Sequence, residues 1–84
     1  MTNQKSILIT GCSTGIGLCV AKRLQQRGYR VFATARKKDD VNALNEMGLE
    51  SLHLDLTDNF SMQNAVKEIL KRTNGTLYAL FNNG

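Results

Sequence analysis

An α/β fold in three layers, built on a four-stranded parallel sheet in the order 3-2-1-4, is what these 84 residues predict. Three observations carry that reading. Short β-branched apolar runs alternate with stretches of helical spacing, so the order along the chain is β-α-β-α-β-α-β. Alternation at these lengths joins parallel strands by right-handed helical crossovers. A glycine-rich loop lies between the first strand and the first helix. In such sheets ligands bind outside the carboxyl ends of the strands, at the point where the strand order reverses.

The first strand is Ser6-Ile7-Leu8-Ile9-Thr10, stopped by Gly11. From Gly15 to Arg27, Ile16, Val20, Ala21 and Leu24 recur at helical spacing and form an inward face, with Lys22, Arg23, Gln25 and Gln26 outside. Gly28 suits the left-handed residue that ends a helix. Tyr29 to Ala35 is the second strand. A short helix capped by Asp39 or Asp40 carries Val41, Leu44 and Met47 inward and stops at Gly48. Ser51-Leu52-His53-Leu54-Asp55 alternates with period two and is the third strand. Asp58 or Ser61 opens a third helix with Met62, Ala65, Val66, Ile69 and Leu70 inward, and Lys71 and Arg72 complement its C-terminal dipole. Asn74-Gly75 ends it, and Leu77 to Phe81 is the fourth strand. Two helices are expected on one sheet face and one on the other.

Composition narrows the function. Hydrophobic residues make up 42% and charged residues 21%, so the chain can fold. No apolar run approaches the ~20 residues of a membrane helix, and Ile7-Leu8-Ile9 is too short for a signal-peptide core of about 7–15 residues. A cytoplasmic location is expected. Cys12 and Cys19, with His53 alone, make no structural zinc site, and a disulfide is not expected in a reducing compartment. The formal charge of +4 suits an anionic ligand. Nucleic acid ranks last, because the chain has neither a long basic helix nor an aromatic stacking pattern. The chain stops directly after an apolar strand. We therefore expect residues 1–84 to be the N-terminal fragment of a longer protein, half of a larger doubly wound sheet, with exposed apolar surface around Ile7, Ile9, Leu80 and Phe81.

The segment Thr10-Gly11-Cys12-Ser13-Thr14-Gly15-Ile16-Gly17 carries the chemistry. Gly11 permits the turn out of the strand, Gly15 leaves the backbone open to a diphosphate, and Gly17 lets the helix pack close to the sheet. The first-turn N–H groups and the helix dipole then face an anion. No Lys follows the last glycines, which excludes a Walker-A loop. The glycine spacing is GxxxGxG and not GxGxxG. Thr10–Gly17 resembles the TGxxxGIG loop of the short-chain dehydrogenase/reductase superfamily, in its single-domain branch. Leu54-Asp55-Leu56-Thr57-Asp58 is similar to that family's aspartate after the third strand. Asn82-Asn83-Gly84 is similar to the start of its NNAG motif, although Gly84 takes the Ala position. The resemblance covers essentially the whole chain and implies a Rossmann-type fold.

The resemblance also implies roles. Gly11, Cys12, Ser13, Thr14, Gly15, Ile16 and Gly17 would cradle the cofactor diphosphate. Asp55 would meet the adenine amino group and the Leu56 backbone the ring edge, although Asp55 also reads as a turn or cap residue. Asn83 would lie along the adenosine, with Asn82 structural. NAD binders place an acidic residue at the end of the second strand, where this chain has Ala35 followed by Arg36, Lys37 and Lys38. A guanidinium grips a 2′-phosphate that a carboxylate would repel, so NADP is expected over NAD. Thr14 offers only a hydroxyl where many NADP-preferring relatives carry a basic residue. A solvated charge run is the other reading of Arg36–Lys38. Cys12 reads as a small residue tucked into the loop, Cys19 as packing, and His53 as solvent-facing.

The family's catalytic Tyr-x-x-x-Lys pair is absent. Four residues after Tyr29 stands Ala33, and four after Tyr78 stands Asn82, so both tyrosines read as strand packing. We expect a full-length NADP-dependent oxidoreductase that moves hydride between nicotinamide and a small carbonyl or alcohol substrate, working as a homo-oligomer. The 84-residue chain alone is expected to be inactive, with no catalytic residue and no metal. The alternative is a non-catalytic nucleotide-binding regulatory module.

Overall fold

The computed structural model describes residues 5–12 and 15–81. Their elements are β1 (Ser6–Ile9), α1 (Gly15–Gln26), β2 (Arg30–Ala35), α2 (Lys38–Glu46), β3 (Glu50–His53), α3 (Asn59–Arg72) and β4 (Ala79–Phe81). The sheet runs β3-β2-β1-β4 with every neighbouring pair parallel, as the alternation predicts. Leu8 stands at the centre, level with Phe32 on β2 and Leu80 on β4.

Side chains alternate between the two faces of a strand, and here the two faces are covered unequally. Ile7, Ile9, Val31, Ala33 and Ala35 pack with Ala21 of α1 and Leu44 of α2 in one large cluster that also holds Cys12 and Leu49. On the other face Leu8 and Phe32 meet Ile69 of α3, with Leu52 and Leu77 half-buried beside them. Both faces of the central strands are thus buried, which is why they read as continuous apolar runs. Gly28 closes α1 at φ +94°, a conformation in which a side chain would be strained. Asp58 caps α3, its carboxylate accepting from the Phe60 N–H at 3.0 Å.

A charge cluster holds the amino ends of the strands. Glu50 accepts two bonds from Arg30 (3.0 and 3.1 Å) and one from Arg72 (3.2 Å), and Arg30 also donates to the Arg72 carbonyl. This ties β2, β3 and the end of α3 together. Burial alone would raise the Glu50 pKa, but the two guanidiniums outweigh it and hold the carboxyl below its ordinary value.

Several expectations need correction. Ile16 is 69% exposed, because in the first turn of α1 it is Gly17 that faces inward and Ile16 points away. Met47 and Met62 are also exposed, at the end of α2 and the start of α3. Helix α2 begins at Lys38, so Lys37 is its N-cap and makes no side-chain capping bond. Asp39 and Asp40 lie within the first turn, where they favour the dipole instead of capping. The third strand is Glu50–His53, and Leu54-Asp55 already belongs to the loop. Ile7 and Ile9 are buried under α1 and α2, so of the four residues expected to be exposed only Leu80 and Phe81 of β4 are. Tyr78 precedes β4 and is exposed, with the Lys5 ammonium 4.4 Å from its ring centroid.

Candidate functional site: the carboxyl ends of the strands

Three loops meet where β1, β2 and β3 end. At β1, Thr10 donates its N–H to the Phe81 carbonyl of β4, and Cys12 then donates to the Thr34 carbonyl of β2 at 2.9 Å. The chain therefore crosses from one neighbour of β1 to the other within two residues. Gly11 makes that turn at φ +66° and is exposed. Gly15 opens α1 at φ +69°, where a Cβ would be strained although nothing lies within 4 Å of it. Gly17 is buried against the sheet side of α1. Ser13 and Thr14, between these glycines, lie outside the described residues, as do Asn82, Asn83 and Gly84 beyond β4.

Cys12 is fully buried. Its thiol donates to the Ile9 carbonyl at 3.3 Å, and burial pushes its pKa up. A protonated, enclosed thiol is no nucleophile, so the residue acts in the loop through its size and its two hydrogen bonds. Cys19 is exposed on α1 and does not pack as expected.

The ends of β2 and β3 are joined by the Leu54 N–H, which donates to the Ala35 carbonyl at 3.0 Å. That bond sets Arg36 and Asp55 side by side. Arg36, Lys37 and Lys38 are exposed, and Arg36 forms no ion pair among the described residues. The Asp55 carboxylate accepts from both the Thr57 N–H (2.9 Å) and the Thr57 hydroxyl (2.6 Å). Those two bonds hold its pKa below the ordinary carboxylate value, with smaller help from the Arg36 and His53 charges. The Asp55 N–H donates to the Ser61 hydroxyl of α3 at 2.9 Å. Asp55 is thus a turn residue, as one of its two readings has it, and its carboxylate stays ionised. Leu56, the next residue, is 42% exposed. His53 is exposed, as expected.

Sequence reasoning assigned no role to Thr57, Ser61 or Thr34. Thr57 had a local signal, since Asp-x-Thr is an Asx-turn pattern. Ser61 was weighed only as a helix start. The hydroxyl of Thr34 had no signal beyond a polar residue in a buried strand.

Among the described residues no group of three or more metal-ligating side chains occurs, and no helix is long and apolar enough to cross a membrane. What the geometry does hold is a doubly wound α/β sheet with glycine turns, a basic loop and an ionised aspartate at one end. The family comparison matches it: the short chain dehydrogenase model covers residues 5–84, and the chain belongs to that family. It is 46% identical over 80 residues to the uncharacterised oxidoreductase YbbO of Escherichia coli, covering 95% of this chain and 30% of that protein. It is 44% identical over 84 residues to the NADPH-dependent 1-acyldihydroxyacetone phosphate reductase of Schizosaccharomyces pombe, covering 99% and 28%. A variant of actinorhodin polyketide ketoreductase solved with NADPH superposes with a TM-score of 0.83 at 31% identity, over 95% of this chain and 33% of that one. The chain thus spans about 30% of the length of these curated relatives.

Proposed function

We propose that the chain is the cofactor-binding part of an NADP-dependent oxidoreductase. The observation that carries this reading is Arg36: exposed, without an ion-pair partner among the described residues, one position after the buried end of β2 and beside the Asp55 turn. NADP supplies hydride chemistry when bound. The chain's own residues would bind and orient it. Gly11, Cys12, Gly15, Ile16 and Gly17, with Ser13 and Thr14, would take the diphosphate at the start of α1. Arg36 and Lys37 would take the 2′-phosphate, Asp55 and the Leu56 backbone the adenine, and Asn83 the adenosine. The residues fit the group: two left-handed glycines frame the loop, and the aspartate is held ionised to accept a purine amino proton. The relatives solved with or named for NADPH support the same choice over NAD.

In a longer protein of this family, a carbonyl or alcohol would be the substrate and a homo-oligomer in the cytoplasm the working form. The 84-residue chain would be silent, since neither Tyr29 nor Tyr78 has a lysine four residues on. A nucleotide-binding module without catalysis is the second reading, and a Tyr-x-x-x-Lys segment in a longer parent chain would decide against it. Turnover of ketones by the chain with NADPH would contradict the proposed silence.

The experiment for the cofactor is Arg36→Ala. A charge-assisted bond to phosphate is worth about 1.5–3 kcal/mol, or about ten- to hundredfold in affinity. Exposure and salt move this toward the low end. Arg36→Ala should weaken NADP by about tenfold and leave NAD unchanged. Equal loss for both, or none, refutes the assignment.

A further inference from the structure

We propose that Thr34 is the positioning residue of the glycine-rich loop, a role that rests on the nucleotide-binding reading above. Thr34 lies next to last in β2 and is 1% exposed, so it reaches no ligand itself. It is bonded to the β1 exit in both directions. Its backbone carbonyl accepts from the Cys12 N–H at 2.9 Å, and its hydroxyl donates to the Ile9 carbonyl at 2.9 Å. The Cys12 thiol donates to that same Ile9 carbonyl. The last residue of β1 and the second residue of the loop are therefore fixed to one side chain and its own carbonyl.

The arrangement has a chemical cause. Strand β1 ends at Ile9, and beyond it Thr10 donates across to β4. Here β1 has to leave one neighbour's ladder while the loop still has to be held to the other. The Ile9 carbonyl has two lone pairs, and in the parallel register of Ile9 with Ala33 the ladder fills only one of them. The Thr34 hydroxyl supplies a strong donor where the Cys12 thiol supplies a weak one. Valine fills the same volume without the hydroxyl, so Thr34→Val isolates the bond. The Gly11–Gly17 backbone should then lose its fixed exit from the sheet, while the rest of the fold keeps its packing.

The test compares wild type with Thr34→Val, Thr34→Ser and Ser51→Ala. Ser51 is a control: its buried hydroxyl bonds the Val41 carbonyl, between β3 and α2 and away from the loop. Two quantities are read by NMR: amide exchange in the ligand-free chain, and affinity for adenosine 2′,5′-bisphosphate. Thr34→Val should speed exchange at Cys12 by about three- to tenfold beyond any change at Phe32 and Ile69, and weaken binding by a similar factor. Ser51→Ala should shift core amides without that excess at Cys12 and leave affinity unchanged. Thr34→Ser should stay close to wild type in both. It decides the matter alone if the valine variant does not fold: wild-type protection at Cys12 supports the proposal, and faster exchange overturns it. Uniform acceleration across the core in Thr34→Val, or equal weakening of binding by Ser51→Ala, also overturns it. Should wild type bind no nucleotide while the Cys12 effect stands, the loop-positioning role is supported and the nucleotide reading fails.

Discussion

Removing Ile69 should do more damage than removing any one apolar residue from the opposite face. Ile69 is fully buried and, among the described residues, clusters with Leu8 and Phe32 where α3 meets the sheet. The face under α1 and α2 has nine buried members to share a loss. Ile69→Ala deletes three carbons, worth about 2.4 kcal/mol at ~0.8 kcal/mol each. The residual cavity adds to this, giving about 3 kcal/mol within the usual range of 2–5. A chain of 84 residues has a total stability of about 4–13 kcal/mol, so a large share would go. The effect should reach the site, since Ser61 on the same helix holds the Asp55 N–H. Urea unfolding by circular dichroism gives the stability change, and amide exchange at Asp55 gives the local one. Ile69→Val should cost only about 1 kcal/mol. A loss below about 1 kcal/mol for Ile69→Ala, with Asp55 protection unchanged, would refute the packing of α3 described above.

Two further outcomes follow from particular residues. Glu50 has a lowered folded-state pKa, so its stabilisation is present above the ordinary value of 4.5 and is lost as pH falls through the folded value. Glu50→Gln should therefore cost about 0.5–1 kcal/mol at pH 7, converge with wild type as pH falls below the lowered folded-state value, and flatten the acid limb of a stability–pH curve. Gly15→Ala should cost about 1 kcal/mol through its left-handed φ, as read by thermal melting. On the proposed function it should also abolish binding of adenosine 2′,5′-bisphosphate, since the new methyl group would stand in the proposed phosphate site.

The sheet order was legible because alternation and length leave few other topologies. The site was legible in part. Gly11 and Gly15 announce themselves, since only glycine adopts such turns without strain, Gly17 is the buried small residue of the first turn of α1, and Ala35-Arg36 is read directly from its place after a strand. Helix faces were legible in their middles and not at their ends. Ala21, Leu44, Ala65 and Ile69 are inside, whereas Ile16, Met47 and Met62, at helix ends, are exposed. Tyr78 misled because a tyrosine beside Ala-Leu-Phe reads as strand, yet β4 starts one residue later. Thr34 and Ser61 act through contacts to Ile9 and Asp55 that depend on tertiary placement, and no local periodicity encodes those.

The central claim is that this end of the sheet recognises a 2′-phosphorylated adenosine. Titration of the wild-type chain with adenosine 2′,5′-bisphosphate and, separately, with AMP tests it most directly, followed by NMR shifts of the backbone amides. The account predicts binding of the bisphosphate about tenfold tighter than AMP at moderate salt, with the Gly11, Gly15, Gly17 and Arg36 amides moving together. Equal affinity for the two ligands, or no movement of those amides, would contradict it.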